Sequence, residues 1–194
     1  MDDPLADGAT PLDPEEEADL IPRHISTRAE LNTWEQANIA KAVAWLAGRR
    51  RGGPVLSRAF LRKLHERMFG ETWRWAGKFR RTGTNIGAPA PEIPERLANL
   101  LEDARHWAAH ATYSPEEIAT RFHHRLTWIH PFPNGNGRHA RLMTDAFLEE
   151  NGLPPFTWGS ASLLVDGVTR KAYIEALRQA DRGDYGPLIA FVRS

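Results

Sequence analysis

The sequence predicts a single, mainly α-helical domain that carries one small β-hairpin. The chain has 194 residues, enough for one domain with its own core and too few for two. After residue 22, most segments repeat apolar residues at helical spacing, and glycine, proline and capping residues separate them. Only residues 77–90 carry strand features around a tight turn. These three observations give the fold class.

The N-terminal segment differs in composition from the rest. Residues 1–22 hold four prolines among acidic side chains, so we expect an irregular arm here. The domain itself is predicted to span residues 23–194.

The helical segments follow from periodicity and from their end signals. Ser57 is a plausible N-cap, and Ser114 and Glu117 frame Pro115 as a capping box with proline at the first helical position. Gly70 ends one helix, and Asn151-Gly152 ends another. The predicted helices are Thr27 to Ala47, Ser57 to Phe69, Pro94 to Ala111, Pro115 to Ile129, Asn136 to Glu150, Asp166 or Gly167 to Ala180, and Pro187 to Val192.

The predicted hairpin lies between the second and third helices. Lys78-Phe79-Arg80 and Asn85-Ile86-Gly87 flank a Thr82-Gly83 turn. An isolated hairpin is only marginally stable, so this one must pack against the helices.

The most informative stretch is residues 130–141, which read HPFPNGNGRHAR. Its prolines and Asn134-Gly135 prevent regular structure, so a loop leads into the helix that starts near Asn136. The backbone N–H groups at that helix start, with the helix dipole, form an anion site. Arg138 and Arg141 share one face of the first turns, and two guanidinium groups suit a phosphate chain.

His130 stands at the entrance of this anion site. It is the side chain there that can take a proton near neutral pH. The residues therefore predict a phosphate-bearing ligand with a base beside it. The plainer interpretation is a capped helix whose arginines form salt bridges, and the combination of histidine, glycines and arginines disfavours it.

Composition excludes several classes of protein. The net charge is zero, which argues against non-specific nucleic-acid binding as the main role. Without cysteine, neither disulfides nor thiolate metal sites can form. No signal peptide or membrane span is recognisable, so a cytoplasmic protein is expected. His123, His124 and His139 fit no standard zinc spacing and are expected to pack within the fold.

The stretch from His130 to Arg141 closely resembles the signature of the Fic (Fic/Doc) family, His-Pro-Phe-x-(Asp/Glu)-Gly-Asn-Gly-Arg-x-x-Arg. Asn134 departs from it, because the family has an acid there. The wider chain, including Trp75 to Arg80 and Gly183 to Tyr185, resembles the subgroup called mobile mystery protein B. The resemblance implies a Fic-type helical domain with the hairpin as a flap near the active site.

The resemblance also implies an activity, the transfer of AMP from ATP to a Ser, Thr or Tyr hydroxyl of a target protein. His130 would be the general base. The implied nucleotide-binding residues are Gly135, Asn136, Gly137, Arg138 and Arg141. The acid of the family helps to hold Mg²⁺, so Asn134 is the implied metal ligand, with weaker binding expected because an amide lacks the charge.

Two further elements follow from the same resemblance. The flap would hold the target as an added strand, through Lys78, Phe79, Asn85, Ile86 and Gly87. Many family members are self-inhibited by a glutamate in the pattern Ser/Thr-x-x-x-Glu, which pairs with the second motif arginine. The full pattern continues with Gly or Asn. Ser26 to Glu30 matches its first five positions, whereas Leu31 departs from the sixth, and Thr112 to Glu116 matches equally well. Glu30 is the candidate partner for Arg141.

Alternatives to AMP transfer remain open from the sequence. A Doc-like phosphotransferase is one, and the intact Gly135-Asn136-Gly137 counts against it. Transfer of another nucleotide is a second, and a non-catalytic nucleotide- or partner-binding module, suggested by Asn134, is a third. The subgroup resemblance further implies a toxin-like protein with a DNA-binding partner encoded nearby, with no direct nucleic-acid or membrane binding by this chain.

Overall fold

The computed structural model describes residues 18–24, 28–49, 53–160 and 167–194. Its helices are α1 (Arg28–Ala47), α2 (Arg58–Phe69), α3 (Ile93–Ala109), α4 (Pro115–Ile129), α5 (Asn136–Glu150), α6 (Val168–Asp181) and α7 (Gly186–Val192), with short 3-10 turns at Ala90–Glu92 and Trp158–Ser160. The mainly helical prediction is confirmed, and the predicted helix ends that the structure describes agree to within about two residues.

The predicted caps lie where the sequence placed them. Ser57 Oγ accepts a hydrogen bond from the Phe60 N–H at 3.2 Å, and Ser114 Oγ accepts one from the Glu117 N–H at 3.2 Å. These bonds satisfy backbone donors that the first turn of a helix leaves without an intrahelical partner. The predicted starts at Thr27 and Asp166 lie outside the described residues.

The helices pack in sequential pairs around one core. α4 packs against α5, α1 against α2, α3 against α4 and α6 against α7, while α2 also contacts α5. Burial of apolar side chains drives this assembly. The largest fully buried side chains are Phe69, Phe122, Phe132, Leu61, Leu64, Met68, Ile93, Leu97, Leu100, Leu126, Met143 and Leu148. The pair α4–α5 therefore presents the loop between its helices, residues 130–135, on a rigid base.

The predicted hairpin at 77–90 is wrong as secondary structure. The structure describes all these residues and gives them no strand. Instead, the Arg80 N–H donates to the Pro131 carbonyl at 3.0 Å, and the Ala88 N–H donates to the Ile129 carbonyl at 3.2 Å. The loop is therefore held at both ends by the 129–131 backbone, which replaces the cross-strand bonds that a hairpin would make.

The end of the N-terminal arm docks on the domain. The Ile21 N–H donates to the Thr72 carbonyl at 2.8 Å, and the Arg74 N–H donates to the Asp19 carbonyl at 2.9 Å, around an antiparallel bridge between Leu20 and Trp73. Residues 1–17 of the predicted arm lie outside the described residues. Of the helices described, none combines the length and apolar character needed to span a bilayer.

Candidate active site

The site is built on the turn between α4 and α5. His130 is the residue after the last turn of α4, and its backbone is left-handed, with φ at 53°. This conformation is unfavourable for a residue with a side chain, so the surroundings must hold it. Asn136 begins α5 six residues later. The turn thus brings a histidine and a helix N-terminus to the same end of the α4–α5 pair.

His130 is buried, with 6% of its surface exposed. Burial lowers the pKa of His130 to about 4, the Thr127 carbonyl acts in the opposite direction, and the Arg80 charge lowers it further. His130 is therefore neutral at pH 7. Its Nδ1 lies 3.4 Å from the Thr127 carbonyl oxygen, to which only a protonated nitrogen can donate. This tautomer places the proton-accepting lone pair on Nε2.

Asn136 shapes the loop with its side chain. Its Oδ1 accepts the Phe132 N–H and its Nδ2 donates to the Phe132 carbonyl, both at 2.8 Å. The amide group is buried and uses both of its ends inside the loop. Of the predicted nucleotide ligands, Asn136 can thus contribute its backbone N–H, while its side chain keeps the loop closed.

Gly135 has a backbone requirement that explains its place in the motif. Its φ is +75°, and a Cβ atom there would lie 2.4 Å from the Phe69 ring. Glycine alone fits both the left-handed backbone and this close approach. Behind it, the N–H groups of Asn136, Gly137 and Arg138 open the first turn of α5, where no intrahelical acceptor exists. A Cβ on Gly137 would have only Arg141 Nη1 nearby, at 3.9 Å, so space remains in front of this turn.

The two motif arginines have different surroundings. Arg138 Nη1 lies 2.6 Å from Glu35 Oε2 of α1, and its guanidinium also lies 4.9 Å from the Phe69 ring centroid. Arg141 is not in an ion pair with any described residue; the Tyr173 phenol of α6 and the Asp145 carboxylate both favour its charged form. Burial lowers the pKa of Arg141. A partly buried cation that forms no ion pair within the described residues favours the binding of an anion.

Glu35 is the site residue that sequence reasoning missed. It is 3% exposed, and besides Arg138 it accepts a hydrogen bond from Trp73 Nε1 at 2.8 Å. It lies on the buried face of α1 with Asn38 and Ala42, whereas the apolar Val43 is exposed. An apolar pattern cannot reveal a polar face that is buried. The spacing of Glu35, Asn38 and Ala42 at positions i, i+3 and i+7 was the available signal.

The remaining predicted residues lie on α1 and on the 77–90 loop. Glu30 is exposed on α1, and Asn85 and Ile86 are exposed at the tip of the 77–90 loop. Lys78 is exposed, whereas Phe79 packs at 5.7 Å from the Phe132 ring.

A cavity of about 280 Å³ opens between α1 and α5. Gln36, Arg138, Arg141 and Asp145 form its polar lining, and Ile39 and Leu142 contribute to its apolar lining. Burial raises the pKa of Asp145 to about 6, while hydrogen bonds to its carboxylate act in the opposite direction. The cavity offers room beside the arginines for an anion that also has an apolar part.

The donors present do not build a resident metal site. Asn134 Oδ1 accepts the N–H of Gly135 at 2.6 Å, and its backbone carbonyl lies 3.1 Å from His65 Nε2. Across the described residues, no three His, Asp or Glu side chains are grouped to hold an ion. Mg²⁺ usually takes one or two carboxylates together with phosphate oxygens. Asn134 offers one neutral oxygen, so these residues fit Mg²⁺ poorly.

The three histidines expected from the sequence to pack within the fold make separate contacts. His123 Nε2 lies 2.8 Å from the Tyr173 hydroxyl, His124 Nε2 lies 2.8 Å from Asp181 Oδ1, and His139 Nε2 donates to the Leu61 carbonyl at 2.9 Å. His123 thus contacts Tyr173, whose phenol also favours the charged form of Arg141.

Comparisons with known proteins agree with this geometry. Residues 55–148 match the sequence model of the Fic/DOC family. A protein named protein adenylyltransferase Fic from Nematostella vectensis is 34% identical over 134 residues, which cover 67% of this chain and 30% of that protein. The chain therefore spans about a third of the length of this relative.

Solved structures share the fold. Fic-1 (residues 134–508) from C. elegans superposes with a TM-score of 0.64 at 26% identity, over 92% of this chain and 51% of that one. The BepC protein of Bartonella tribocorum, solved with bound AMPPNP, superposes with a TM-score of 0.68 at 21% identity, over 89% of each chain.

Proposed function

Because residues 55–148 form a Fic/DOC family domain, we propose that this chain is a protein adenylyltransferase that transfers AMP from ATP to a hydroxyl of a target protein. The observation that carries the proposal is a neutral, buried His130 at the same turn as a helix N-terminus and the Arg141 cation. The name of the relative supports the reaction, and the AMPPNP in the neighbouring structure supports the ligand class.

The reaction divides among a few residues. His130 Nε2 takes the proton of the incoming Ser, Thr or Tyr hydroxyl. That oxygen bonds to the α-phosphorus, the bond from this phosphorus to the bridging oxygen breaks, and pyrophosphate leaves with the electron pair. The N–H groups at the start of α5 hold the phosphate oxygens, and Arg141 balances the charge on the outer phosphates. Such a reaction depends mainly on position and electrostatics.

The 77–90 loop is the proposed seat of the target segment. Ile86 and Asn85 form its exposed tip, and Gly87 lies against the Cβ of His130, where an added Cβ would approach to 2.6 Å. A segment bound along this loop would place its hydroxyl beside His130. The extended, strand-like binding of the target through Lys78 and Phe79 remains part of the proposal.

Magnesium enters the proposal only with the nucleotide. A Mg²⁺ ion bound to the phosphates would screen their charge, and Asn134 is the one motif side chain that would add an oxygen to it. Because this oxygen is neutral and already accepts a hydrogen bond, Arg141 and the α5 N–H groups carry most of the phosphate charge in our proposal.

Self-inhibition through a glutamate of α1 is also proposed. The sequence pattern points to Glu30 acting on Arg141, and this stays a prediction. The contact of Glu35 with Arg138 gives a second candidate on the same helix, because it already occupies a guanidinium that faces the cavity. Alanine variants of both glutamates distinguish the two, since only the inhibitory one should raise the transfer rate.

The finer assignments complete the proposal. We place the chain in the mobile mystery protein B subgroup, in the cytoplasm, as a toxin-like protein with a DNA-binding partner encoded nearby. Co-purification of the tagged chain with the product of the adjacent gene would test the partner.

A labelling assay tests the proposed activity. The chain is incubated with cell extract, Mg²⁺ and ATP labelled at the α- or the γ-phosphate, with His130→Ala as the control. We expect protein-bound label from the α-position only, absent in the variant. Label from the γ-position alone would show phosphotransfer instead. With neither label, and with ATP still bound by wild type and His130→Ala alike, the Asn134 chain would be a nucleotide-binding module.

A further inference from the structure

Arg80 is a buried arginine that contacts the turn beside His130. It is 3% exposed, and its guanidinium donates to backbone carbonyls on both sides of the site. Nε donates to the His130 carbonyl at 2.7 Å, Nη1 donates to the Thr82 carbonyl at 3.0 Å, and Nη2 donates to the Ala88 carbonyl. Two of these acceptors belong to the 77–90 loop, and one belongs to His130 itself.

The backbone around Arg80 repeats the same connection. The Arg80 N–H donates to the Pro131 carbonyl at 3.0 Å, and Arg80 Nη2 also lies 3.4 Å from the Ile129 carbonyl oxygen. The last carbonyls of a helix have no intrahelical partner, and a cation at this end is favourable. The Arg80 side chain therefore hydrogen-bonds the carbonyls at the C-terminal end of α4 and those of the 77–90 loop at the same time.

His130 needs such support because its backbone is strained. A left-handed φ of 53° is unfavourable at a residue with a Cβ, and it persists only where the surroundings fix it. Gly87 approaches the His130 Cβ so closely that any side chain there would collide with it, and the same missing Cβ leaves room for Arg80 Nη2. Arg80 and Gly87 together leave His130 little freedom to move.

We propose that Arg80 is a positioning residue that holds the His130 backbone and the 77–90 loop as one unit, so that the base and the target segment keep a fixed relation. This inference rests on the proposed function for its consequence in catalysis. The Arg80 charge also favours the base form of His130, because it helps to keep the pKa of His130 low and the imidazole neutral.

The chain offers a matched control in Arg62. Its Nε donates to the Gly77 carbonyl at 2.8 Å, and its guanidinium lies 5.8 Å from the Phe79 ring centroid. Arg62 thus also holds the base of the 77–90 loop, but it has no bond to the 129–131 backbone. Arg62→Met should loosen the loop without releasing His130.

The test compares Arg80→Met, Arg80→Lys and Arg62→Met with wild type. We expect Arg80→Met to lower kcat for transfer about a hundredfold, the scale of a small misplacement of a catalytic group, with the Kd for ATP changed less than twofold. Arg80→Lys should recover part of kcat, since an ammonium keeps the charge but reaches fewer carbonyls. Arg62→Met should retain kcat within about threefold, because His130 stays in place and the loss from a misplaced catalytic group does not arise.

Hydrogen exchange gives a readout that needs no activity. In Arg80→Met, amides of both 80–89 and 129–132 should exchange faster, whereas Arg62→Met should affect residues near 77–79 alone. If Arg80→Met does not fold, Arg80→Lys carries both readouts. Equal effects of Arg80→Met and Arg62→Met, or a loss of kcat that only follows the loss of folded protein, would overturn the proposal. The two proposals can fail separately. If Arg80→Met speeds exchange in both segments but wild type transfers no label, Arg80 still holds His130 and the loop together, and the proposed adenylyltransferase activity is refuted.

Discussion

The ion pair between Glu35 and Arg138 should limit how tightly the site binds ATP. Glu35→Gln keeps an acceptor for Trp73 Nε1 but removes the charge that holds Arg138. A hydrogen bond to a charged group contributes about 1.5–3 kcal/mol when buried. The Glu35 side chain is 4% exposed and that of Arg138 is 18%, so we expect Glu35→Gln to lower the free energy of unfolding by about 1–3 kcal/mol.

If Arg138 must leave Glu35 to reach phosphate, the stabilisation by the Glu35–Arg138 pair opposes the binding of ATP. A contact that ATP has to break opposes binding by the free energy of that contact, and 1–3 kcal/mol corresponds to about 5–150-fold in affinity. Glu35→Gln should therefore bind ATP more tightly by a factor in this range, and it should transfer label faster at low ATP.

The assay pairs calorimetric ATP titration with urea unfolding, and Glu71→Gln serves as the control. Glu71 pairs with Lys41 of α1, but both side chains are more than half exposed. Such a surface pair contributes about 1 kcal/mol or less, so Glu71→Gln should change neither quantity appreciably. If Glu35→Gln loses stability while its Kd for ATP is unchanged, the pair is structural only and the reasoning fails.

Three other predictions concern the motif and the core. Gly135→Ala should lower the free energy of unfolding by about 2–5 kcal/mol, from the left-handed backbone and the collision with Phe69; urea unfolding measures it, and a loss below 1 kcal/mol would contradict the close approach. Asn134→Asp should lower the Mg²⁺ concentration needed for half-maximal transfer, because it adds the missing charge; an unchanged Mg²⁺ dependence would exclude this position as a ligand. Burial lowers the pKa of His123 to about 3 and that of His139 to about 4, whereas an unfolded histidine titrates near 6.5, so stability should be fully present above pH 6.5 and decline as the pH falls towards 4; a urea midpoint that stays constant from pH 7 to pH 4.5 would argue against neutral buried histidines.

Local signals carried most of the helix prediction. Ser57, Ser114 and Pro115 are strong end signals that act within one turn, so their positions needed no knowledge of the rest of the fold. The motif was equally readable, because the anion site at the start of α5 depends on glycine and helix geometry over a few residues. For the same reason, Gly135 could be singled out before the Phe69 contact was visible.

The 77–90 loop shows where local signals fail. Its residues have strand-like features, but the Arg80 and Ala88 N–H groups find their acceptors at Pro131 and Ile129, more than forty residues away in sequence. A loop can satisfy its polar groups through any partner that the fold brings close, and a buried arginine supplied several at once. Strand pairing was therefore not required.

By itself, the sequence determined the helical class, the helix ends and the composition of the turn that we propose binds phosphate, because each depends on interactions between near neighbours. Only the tertiary structure decided that Glu35 faces Arg138, that the Tyr173 phenol favours the charge of Arg141 and that Arg80 holds the His130 backbone. These contacts join residues that are far apart in the chain, and their strength comes from burial. Burial is a property of the packed molecule, so it decides which charges are compensated and which remain to bind a ligand.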